Sequence, residues 1–181
     1  MNKQVKIPYY QTERLLIENL KTEHASELFE PLSDPELYRL VDSVPLESVE
    51  KLTERFAFIT NPDAPGESRI WLNWVSRCIE TREPIGMIEG DVKGREAIIG
   101  YYTFTKHQKK GYAREGVRKI VQILSEEWSV TKITLEMDTR NRASAKLAES
   151  LGFKWVKTTS HACDLKGYQS HEFKYEYHVV S

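Results

Sequence analysis

A short glycine-containing turn holds the residues whose types and spacing most directly suggest chemistry. The segment Gln108-Lys109-Lys110-Gly111-Tyr112-Ala113-Arg114 lies between a strand-like run and a run with helical periodicity. The first turn of a helix carries unpaired backbone N–H groups, and the helix dipole adds partial positive charge there. Gly111 and Ala113 have little side-chain bulk, so a phosphate could approach the backbone closely. The pattern predicts a diphosphate site, while a glycine turn with a solvated basic face explains the same residues.

Other nucleotide-binding patterns do not describe this turn. The sequence has neither the Gly-x-x-x-x-Gly-Lys-[Ser/Thr] loop nor the Gly-x-Gly-x-x-Gly dinucleotide fingerprint. The basic residues between Lys106 and Arg118 are also compatible with nucleic-acid binding. The net charge of the chain is only −1, however, and that segment has few interleaved aromatic residues. We therefore expect no nucleic-acid partner.

Hydrophobic periodicity predicts the elements that position the turn. Their order is one strand, two helices, three strands, a helix, a strand, a helix and two closing strands. The short connections between the three central strands are typical of antiparallel hairpins. This order predicts an α+β fold with a mixed sheet. The strands are expected at residues 14–19, 70–77, 85–92, 97–104, 133–138, 153–156 and 172–180, with Thr22 capping the first helix and Gly152 ending the last.

Length and composition indicate one ordinary globular domain over residues 1–181. The chain is 40% hydrophobic, but no stretch of about 18 apolar residues occurs, so we expect no membrane partner. The first eleven residues lack the apolar run of a secretory signal. Two distant cysteines, Cys78 and Cys163, form neither a disulfide framework nor a metal-ligand pattern. These features predict a cytoplasmic protein without a metal site.

Several short motifs occur in order along the chain. They are Thr12-Glu13-Arg14-Leu15, Pro84-Ile85-Gly86, Ile99-Gly100-Tyr101-Tyr102, Gly111-Tyr112-Ala113-x-Glu115, Asn141-x-x-Ser144 and Leu151-Gly152-Phe153. Together they resemble the GNAT superfamily of N-acetyltransferases, and its RimJ/RimL-type branch in particular. The resemblance covers nearly the whole chain. It implies a mixed, mostly antiparallel central sheet of about six to seven strands flanked by about four helices.

The resemblance also implies a co-substrate, acetyl-CoA. In that family the turn equivalent to Gln108, Lys109, Lys110, Gly111, Tyr112, Ala113 and Arg114 holds the pyrophosphate of coenzyme A. The backbone of Tyr101, Tyr102 and Thr103 would pair with the pantetheine arm, and Asn141 would contact this arm, cap the following helix, or do both. Two departures are visible: Lys109 stands where the branch usually has glycine, and Ile98 stands where an acidic residue is common.

The catalytic residues are less clearly indicated. An attacking amine must lose a proton, so a base or an ordered water is needed. The resemblance favours Glu136, five residues before Asn141, although a strand carboxylate that is merely exposed or ion-paired is the more ordinary explanation of this residue. Glu89 interrupts an apolar strand and is the alternative base, although a substrate-side or surface charge is the more ordinary explanation. Many relatives use a tyrosine as the acid where this chain has Ala148, and Ser144 is the candidate that could replace it.

The acceptor is expected to be a primary amine, because that is what the family acetylates. A protein or peptide N-terminus is favoured by the resemblance alone. The alternatives are a small-molecule amine such as a polyamine, an aminoglycoside or an amino-acid derivative, and an acyl-CoA sensor without catalytic activity. Selectivity in the family resides in the first two helices and nearby loops, which carry the least pattern here. The expected assembly is a monomer or a homodimer.

Overall fold

Four α-helices and eight strands form the part of the chain that the computed structural model describes, residues 9–64, 66 and 68–179. The strands are β1 (Tyr10–Gln11), β2 (Leu15–Asn19), β3 (Arg69–Cys78), β4 (Pro84–Lys93), β5 (Glu96–Thr103), β6 (Lys132–Asp138), β7 (Lys154–Leu165) and β8 (Tyr168–His178). The helices are α1 (Ala25–Leu32), α2 (Val49–Ile59), α3 (Tyr112–Trp128) and α4 (Arg142–Ser150).

All eight strands belong to one sheet in the order β1-β2-β3-β4-β5-β6-β8-β7. Every neighbouring pair is antiparallel except β5 and β6, which run parallel. Strands that follow one another as hairpins pair antiparallel, whereas the parallel pair is joined by a crossover that contains α3. The mixed sheet predicted from the order of elements is therefore confirmed.

The sheet separates two hydrophobic cores. Residues of α3 and α4, such as Ile120 and Ala148, pack with one face of the sheet, which we call the back. Residues of α1 and α2, such as Leu28 and Phe56, pack with Met87 on the other face, the front. Because successive strand residues point to opposite faces, β3 places Trp74 in the back core and Val75 in the front core, and β4 places Ile88 and Met87 in the same two cores. This alternation decides which side chains can meet near the Gly111 turn.

The predicted elements are found, with corrections at their ends. The additional strand β1 brings the sheet to eight strands instead of six or seven. Strands β7 and β8 are longer than expected and form a hairpin, and residue 180 of the predicted last strand lies outside the described residues. Thr22 does not cap α1, because it lies inside the short 3-10 turn Thr22–His24 and the capping position of α1 is His24.

The end of α4 follows the predicted pattern. Gly152 has φ +90°, the left-handed conformation that glycine adopts without strain. Its N–H donates to the Glu149 carbonyl at 3.0 Å, and the Phe153 N–H donates to the Ala148 carbonyl at 3.0 Å. These two bonds are the Schellman arrangement that ends many helices. They turn the chain back into β7 and fix α4 against the back of the sheet.

Candidate active site

The Gly111 turn, Gln108 to Arg114, presents free backbone N–H groups as predicted. Gly111 has φ +83° and is the capping residue of α3, without a side-chain bond to the helix end. Within the described residues, no hydrogen-bond acceptor is found for the N–H groups from Lys109 to Arg114. The free end of the helix dipole adds to the positive potential there. An anion can therefore bind to this turn without displacing any protein bond.

The turn is held in place by an ion pair that reaches across from the N-terminal segment. Arg14 Nε donates to Glu115 Oε2 at 2.7 Å, and an Arg14 terminal nitrogen donates to the Lys110 carbonyl at 3.0 Å. Glu115 also accepts from the Thr12 hydroxyl at 2.5 Å and from the Arg14 N–H at 2.7 Å. The guanidinium lies 4.6 Å from the centre of the Tyr112 ring. These contacts join two of the motifs found in the sequence, Thr12-Glu13-Arg14-Leu15 and Gly111-Tyr112-Ala113-x-Glu115.

A groove of about 580 Å³ runs from the turn along β5 to the start of α4. We call it the long groove. Basic side chains of Arg39, Lys109, Arg114 and Lys146 line it. All but one of the residues predicted to bind the cofactor line this groove: Tyr101, Tyr102, Thr103, Gln108, Lys109, Gly111, Tyr112, Ala113, Arg114, Asn141 and Ser144. Lys110 is the exception, and its carbonyl accepts a hydrogen bond from Arg14.

Strands β5 and β6 separate soon after they begin. Their register pairs only Glu96, Ala97 and Ile98 with Lys132, Ile133 and Thr134, although β5 continues to Thr103 and β6 to Asp138. A space of about 280 Å³, here called the interstrand cleft, opens beyond these pairs. Parts of both strands line it, together with Asn141 and Ser144. The backbone edges that face this cleft are unpaired with each other and can bind a ligand.

A third cavity, the front cleft, has a volume of about 440 Å³ and lies on the front face. The two candidate bases, Glu89 and Glu136, both line it and also line the interstrand cleft. Between them lies Gly100, which pairs with Glu89 in the register of β4 and β5. A Cβ at position 100 would meet no atom within 4 Å, so glycine leaves the passage open. The interstrand cleft thus shares lining residues with the front cleft on one side and with the long groove on the other, and it connects the two.

The two carboxylates have different surroundings. Glu89 is largely buried, and burial raises its pKa, while the nearby Arg55 guanidinium lowers it. Glu136 is more open, with 35% of its side chain exposed, and lies 3.8 Å from Lys174 Nζ on β8. The ion-pair alternative for Glu136 is therefore realised, but with Lys174, not with a residue of its own strand. A carboxyl that is protonated more readily is better suited to accept a proton near neutral pH.

Sequence reasoning missed a buried carboxylate at the end of β6. Asp138 is 6% exposed and accepts bonds from Arg140 Nε at 2.8 Å and from the Ser170 hydroxyl at 2.6 Å. The Arg140 guanidinium and these hydrogen bonds hold the pKa of Asp138 far below its usual range. The strand pattern alone treats Asp138 as the polar end of a strand. Its partner Ser170 comes from β8, which only the sheet order places beside β6.

A second missed contact joins β5 to α4. The Tyr101 hydroxyl donates to Ser144 Oγ at 2.9 Å, whereas the sequence predicted only a backbone role for Tyr101. Asn141 caps α4, since its side-chain oxygen accepts from the Ser144 N–H at 3.1 Å. The capping role predicted for Asn141 is therefore confirmed. Strand alternation predicts that the Tyr101 side chain lies on the back face, but it does not predict that Ser144 lies opposite to it.

The acetyltransferase (GNAT) domain model matches residues 14–154 of this chain. This span covers most of the sequence and includes the turn, the separated strands and both carboxylates. The chain belongs to the GNAT acetyltransferase family. It is accordingly an acetyl-CoA-dependent acetyltransferase, as the motifs predicted. Its fold agrees with that of RimL and ribosomal-protein acetyltransferases.

Individual proteins agree with this assignment. The uncharacterized N-acetyltransferase p20 of Bacillus licheniformis is 27% identical over 143 residues, which cover 79% of this chain and 80% of p20. The RimL ribosomal L7/L12 alpha-N-protein acetyltransferase, solved with coenzyme A, superposes with a TM-score of 0.86 at 15% identity, covering 95% of this chain and 98% of RimL. The microcin C7 self-immunity acetyltransferase MccE, solved with acetyl-CoA and AMP, gives a TM-score of 0.80 at 15% identity over 93% of this chain and 94% of MccE.

The residues of this GNAT domain fit acetyl-CoA as co-substrate. The free N–H groups of the turn and the basic side chains of the long groove suit a diphosphate. Neither departure from the family pattern obstructs the groove: Lys109 adopts φ +60°, as a glycine there would, and Ile98 lies on the front cleft instead. Ala148 is fully buried and offers no polar group. No helix in the described part of the chain combines the length and apolar character needed to cross a membrane.

Proposed function

We propose that this domain, taken as a single unit over residues 1–181, moves the acetyl group of acetyl-CoA directly to a primary amine. The co-substrate would bind along the long groove, and the amine would enter from the front cleft. The observation that carries the proposal is the separation of β5 from β6 after Ile98, directly between the free N–H groups of the turn and the two carboxylates. Both reactants can reach the interstrand cleft from different sides.

The groups that would bind the co-substrate are backbone groups assisted by basic side chains. The N–H groups from Lys109 to Arg114 would bind the pyrophosphate, and the edge from Tyr101 to Thr103, which does not pair with β6, would bind the pantetheine arm. Negative charge develops on the thioester oxygen as the amine attacks. Fixed N–H donors in a cleft shielded from water stabilise such charge more than bulk water does.

The proton of the attacking amine would go to a carboxylate of the front cleft. Glu89 is the better base, because burial raises its pKa toward the range in which amines are deprotonated. Glu136 lies across Gly100 and would attract the amine and orient it. Its contact with Lys174 holds it on the β6 side of the cleft. A water between the carboxylate and the amine would serve as well as direct contact.

The acceptor that we favour is the α-amine of a protein or peptide. RimL, which shares this fold, is described as an alpha-N-protein acetyltransferase, and the front cleft opens to the surface of the molecule. One observation favours a small cationic amine instead. The interstrand cleft is lined by five carboxylates, Asp42, Glu89, Glu136, Asp138 and Glu172, and by no lysine or arginine among the described residues. The charge of Asp138 is balanced by Arg140, and the other four carboxylates leave the cleft negative.

The test is a mass-spectrometric screen of amines with acetyl-CoA, combined with calorimetry of coenzyme A alone. The panel contains peptides with free N-termini, polyamines, aminoglycosides and amino-acid derivatives. We expect an acetylated product one acetyl group heavier and release of free thiol in equal amount. Binding of coenzyme A without any product would favour the sensor alternative and contradict the transferase.

The turn itself is tested by replacing Gly111 with glutamate. A carboxylate there repels phosphate, and a non-glycine residue at φ +83° is strained, so we expect loss of coenzyme A binding and of turnover. The matched control is Gly94→Glu in the turn between β4 and β5. Gly94 also has a positive φ, +59°, and a Cβ there would meet no atom within 4 Å. Unchanged turnover in the Gly111 variant would contradict the cofactor site.

A further inference from the structure

Two hydroxyl groups meet where the long groove joins the interstrand cleft. Tyr101 and Ser144 line both cavities, and their side-chain oxygens are 2.9 Å apart. Tyr101 comes from β5 and Ser144 from the first turn of α4, 43 residues later. The bond therefore depends on how α4 packs against the back of the sheet. The bond lies beside the part of β5 that is separated from β6.

The direction of this bond determines what the Ser144 hydroxyl can do. A serine hydroxyl has one hydrogen to donate and two lone pairs that accept. The phenol is the more acidic of the two hydroxyls and the better donor, so the Ser144 oxygen accepts from Tyr101, while the Ser144 N–H is used by the Asn141 cap. Serines near helix starts often donate back to a backbone carbonyl, but no such bond is found for Ser144 within the described residues. Its hydrogen is therefore available to a ligand in the two cavities that Ser144 lines.

We propose that Tyr101 is a positioning residue for the transfer, one that turns the Ser144 O–H toward the sulphur that leaves the acetyl group. The inference rests on the proposed function. When the amine nitrogen bonds to the acetyl carbon, the carbon–sulphur bond breaks and its electron pair goes to sulphur. The proton of the amine goes to the carboxylate of the front cleft. Ser144 donates a hydrogen bond to the sulphur and keeps its proton, and the thiolate takes a proton from solvent, to which the carboxylate later releases one.

The phenol strengthens a donor that is weak by itself. Hydrogen bonds in a chain polarise one another, so a serine that accepts from Tyr101 becomes a better donor to sulphur. Burial raises the pKa of Tyr101, so its hydroxyl keeps the proton that this arrangement needs. Without that bond the Ser144 hydroxyl is free to rotate away from the cleft. Phenylalanine at position 101 would keep the ring against the back core and remove only the donor.

The test measures the single-turnover rate of acetyl transfer in a double-mutant cycle. We expect Tyr101→Phe to lower the rate about 5- to 10-fold, as loss of one neutral hydrogen bond does, with coenzyme A affinity unchanged. Ser144→Ala should lower it at least as much. In the Ser144→Ala background, Tyr101→Phe should have no further effect. The matched control is Tyr175→Phe, because the Tyr175 hydroxyl also donates to a residue of α4, Glu149, at 2.9 Å. This variant should retain the wild-type rate.

The possible results separate this inference from the proposed function. A wild-type protein that acetylates none of the amines would overturn both. Turnover by the wild type with an unchanged rate in Tyr101→Phe, or with equal losses in both backgrounds, would overturn only the role of Tyr101. If Tyr101→Phe melts well below the wild type and Tyr175→Phe, the Ser144→Ala arm decides. A wild-type rate in that variant would overturn the inference.

Discussion

Two glutamates in one cleft can have different roles because their surroundings differ. Glu89 and Glu136 lie on opposite sides of Gly100, yet one is largely buried and the other is open to solvent and close to Lys174. Their convergence could not be read from the sequence, since it depends on β5 lying between β4 and β6. What the sequence offered was a carboxylate in an apolar strand and a spacing to Asn141.

The first prediction concerns Glu89. We expect Glu89→Gln to lower kcat by at least about 100-fold, because an amide cannot accept the amine proton. A base works in its ionised form, so wild-type kcat/KM should rise with pH through the raised pKa of Glu89. That limb should flatten in the variant. Steady-state kinetics across pH measures both effects.

Two controls belong to this prediction. Glu136→Gln should lower kcat less than Glu89→Gln does. A larger loss of kcat in Glu136→Gln would reverse the two roles. Burial opposes a charge at Glu89, so the folded state binds more protons than the unfolded chain between the usual and the raised pKa. Stability should therefore fall as pH rises through that window. The neutral amide removes this cost, so Glu89→Gln should melt no lower than the wild type at alkaline pH.

The second prediction concerns the buried carboxylate of Asp138. Asp138→Asn should destabilise the fold by about 2 kcal/mol at neutral pH, because it weakens charge-assisted bonds from Arg140 and Ser170. The folded-state pKa is lowered, so this stabilisation is present above the ordinary aspartate pKa and is lost as pH falls below it. Denaturant unfolding at several pH values measures the difference between variant and wild type.

A comparable ion pair provides the control for Asp138. Asp91 also accepts two bonds from one arginine, Arg69, at 3.0 and 2.7 Å, but the side chains are 30% and 36% exposed. Exposed pairs contribute little, so Asp91→Asn should change the free energy of unfolding by less. Equal losses in the two variants would show that burial of Asp138 does not strengthen its contacts.

At the scale of elements, the sequence predicted most of what local patterns can determine. Alternation and helical periodicity gave the order of elements, and Gly152 correctly ended α4. The tail strands were predicted too short, because β7 is exposed along nearly all its length and has no apolar alternation to detect. The register between β7 and β8 also shifts between Thr159 and Cys163. Neither feature leaves a signal in hydrophobic spacing.

The third prediction concerns the contact that fixes the start of α3. Glu115→Gln should raise KM for acetyl-CoA about 3- to 10-fold with a smaller effect on kcat, because the Gly111 turn loses its ionic contact with Arg14 but keeps its free N–H groups. Glu126→Gln on the same helix is the control, since Glu126 is exposed and, within the part of the chain that the structure describes, accepts from Gln122 alone. A fall in kcat without a change in KM would assign Glu115 to the reaction instead.

At the scale of the molecule, the opening between β5 and β6 is where cavities on the two faces of the sheet meet. The long groove is bounded by front-side residues such as Arg39 and Leu40 and by residues of α4 on the back. The front cleft is bounded by Arg55 and Ile59 of α2. A bound co-substrate would therefore contact both halves of the molecule. Such binding should stabilise the folded state by mass action.

The fourth prediction follows from this arrangement. Without ligand, backbone amides of the turn from Lys109 to Arg114 should exchange rapidly with deuterium, because no acceptor within the described residues protects them. Coenzyme A should slow exchange in the turn and in the segment from Gly100 to Thr103 together, while the turn around Gly94 stays unchanged. Hydrogen exchange followed by mass spectrometry of short peptides measures all three. Protection of the turn without protection of β5 would place the diphosphate correctly and contradict the path of the pantetheine arm between the separated strands.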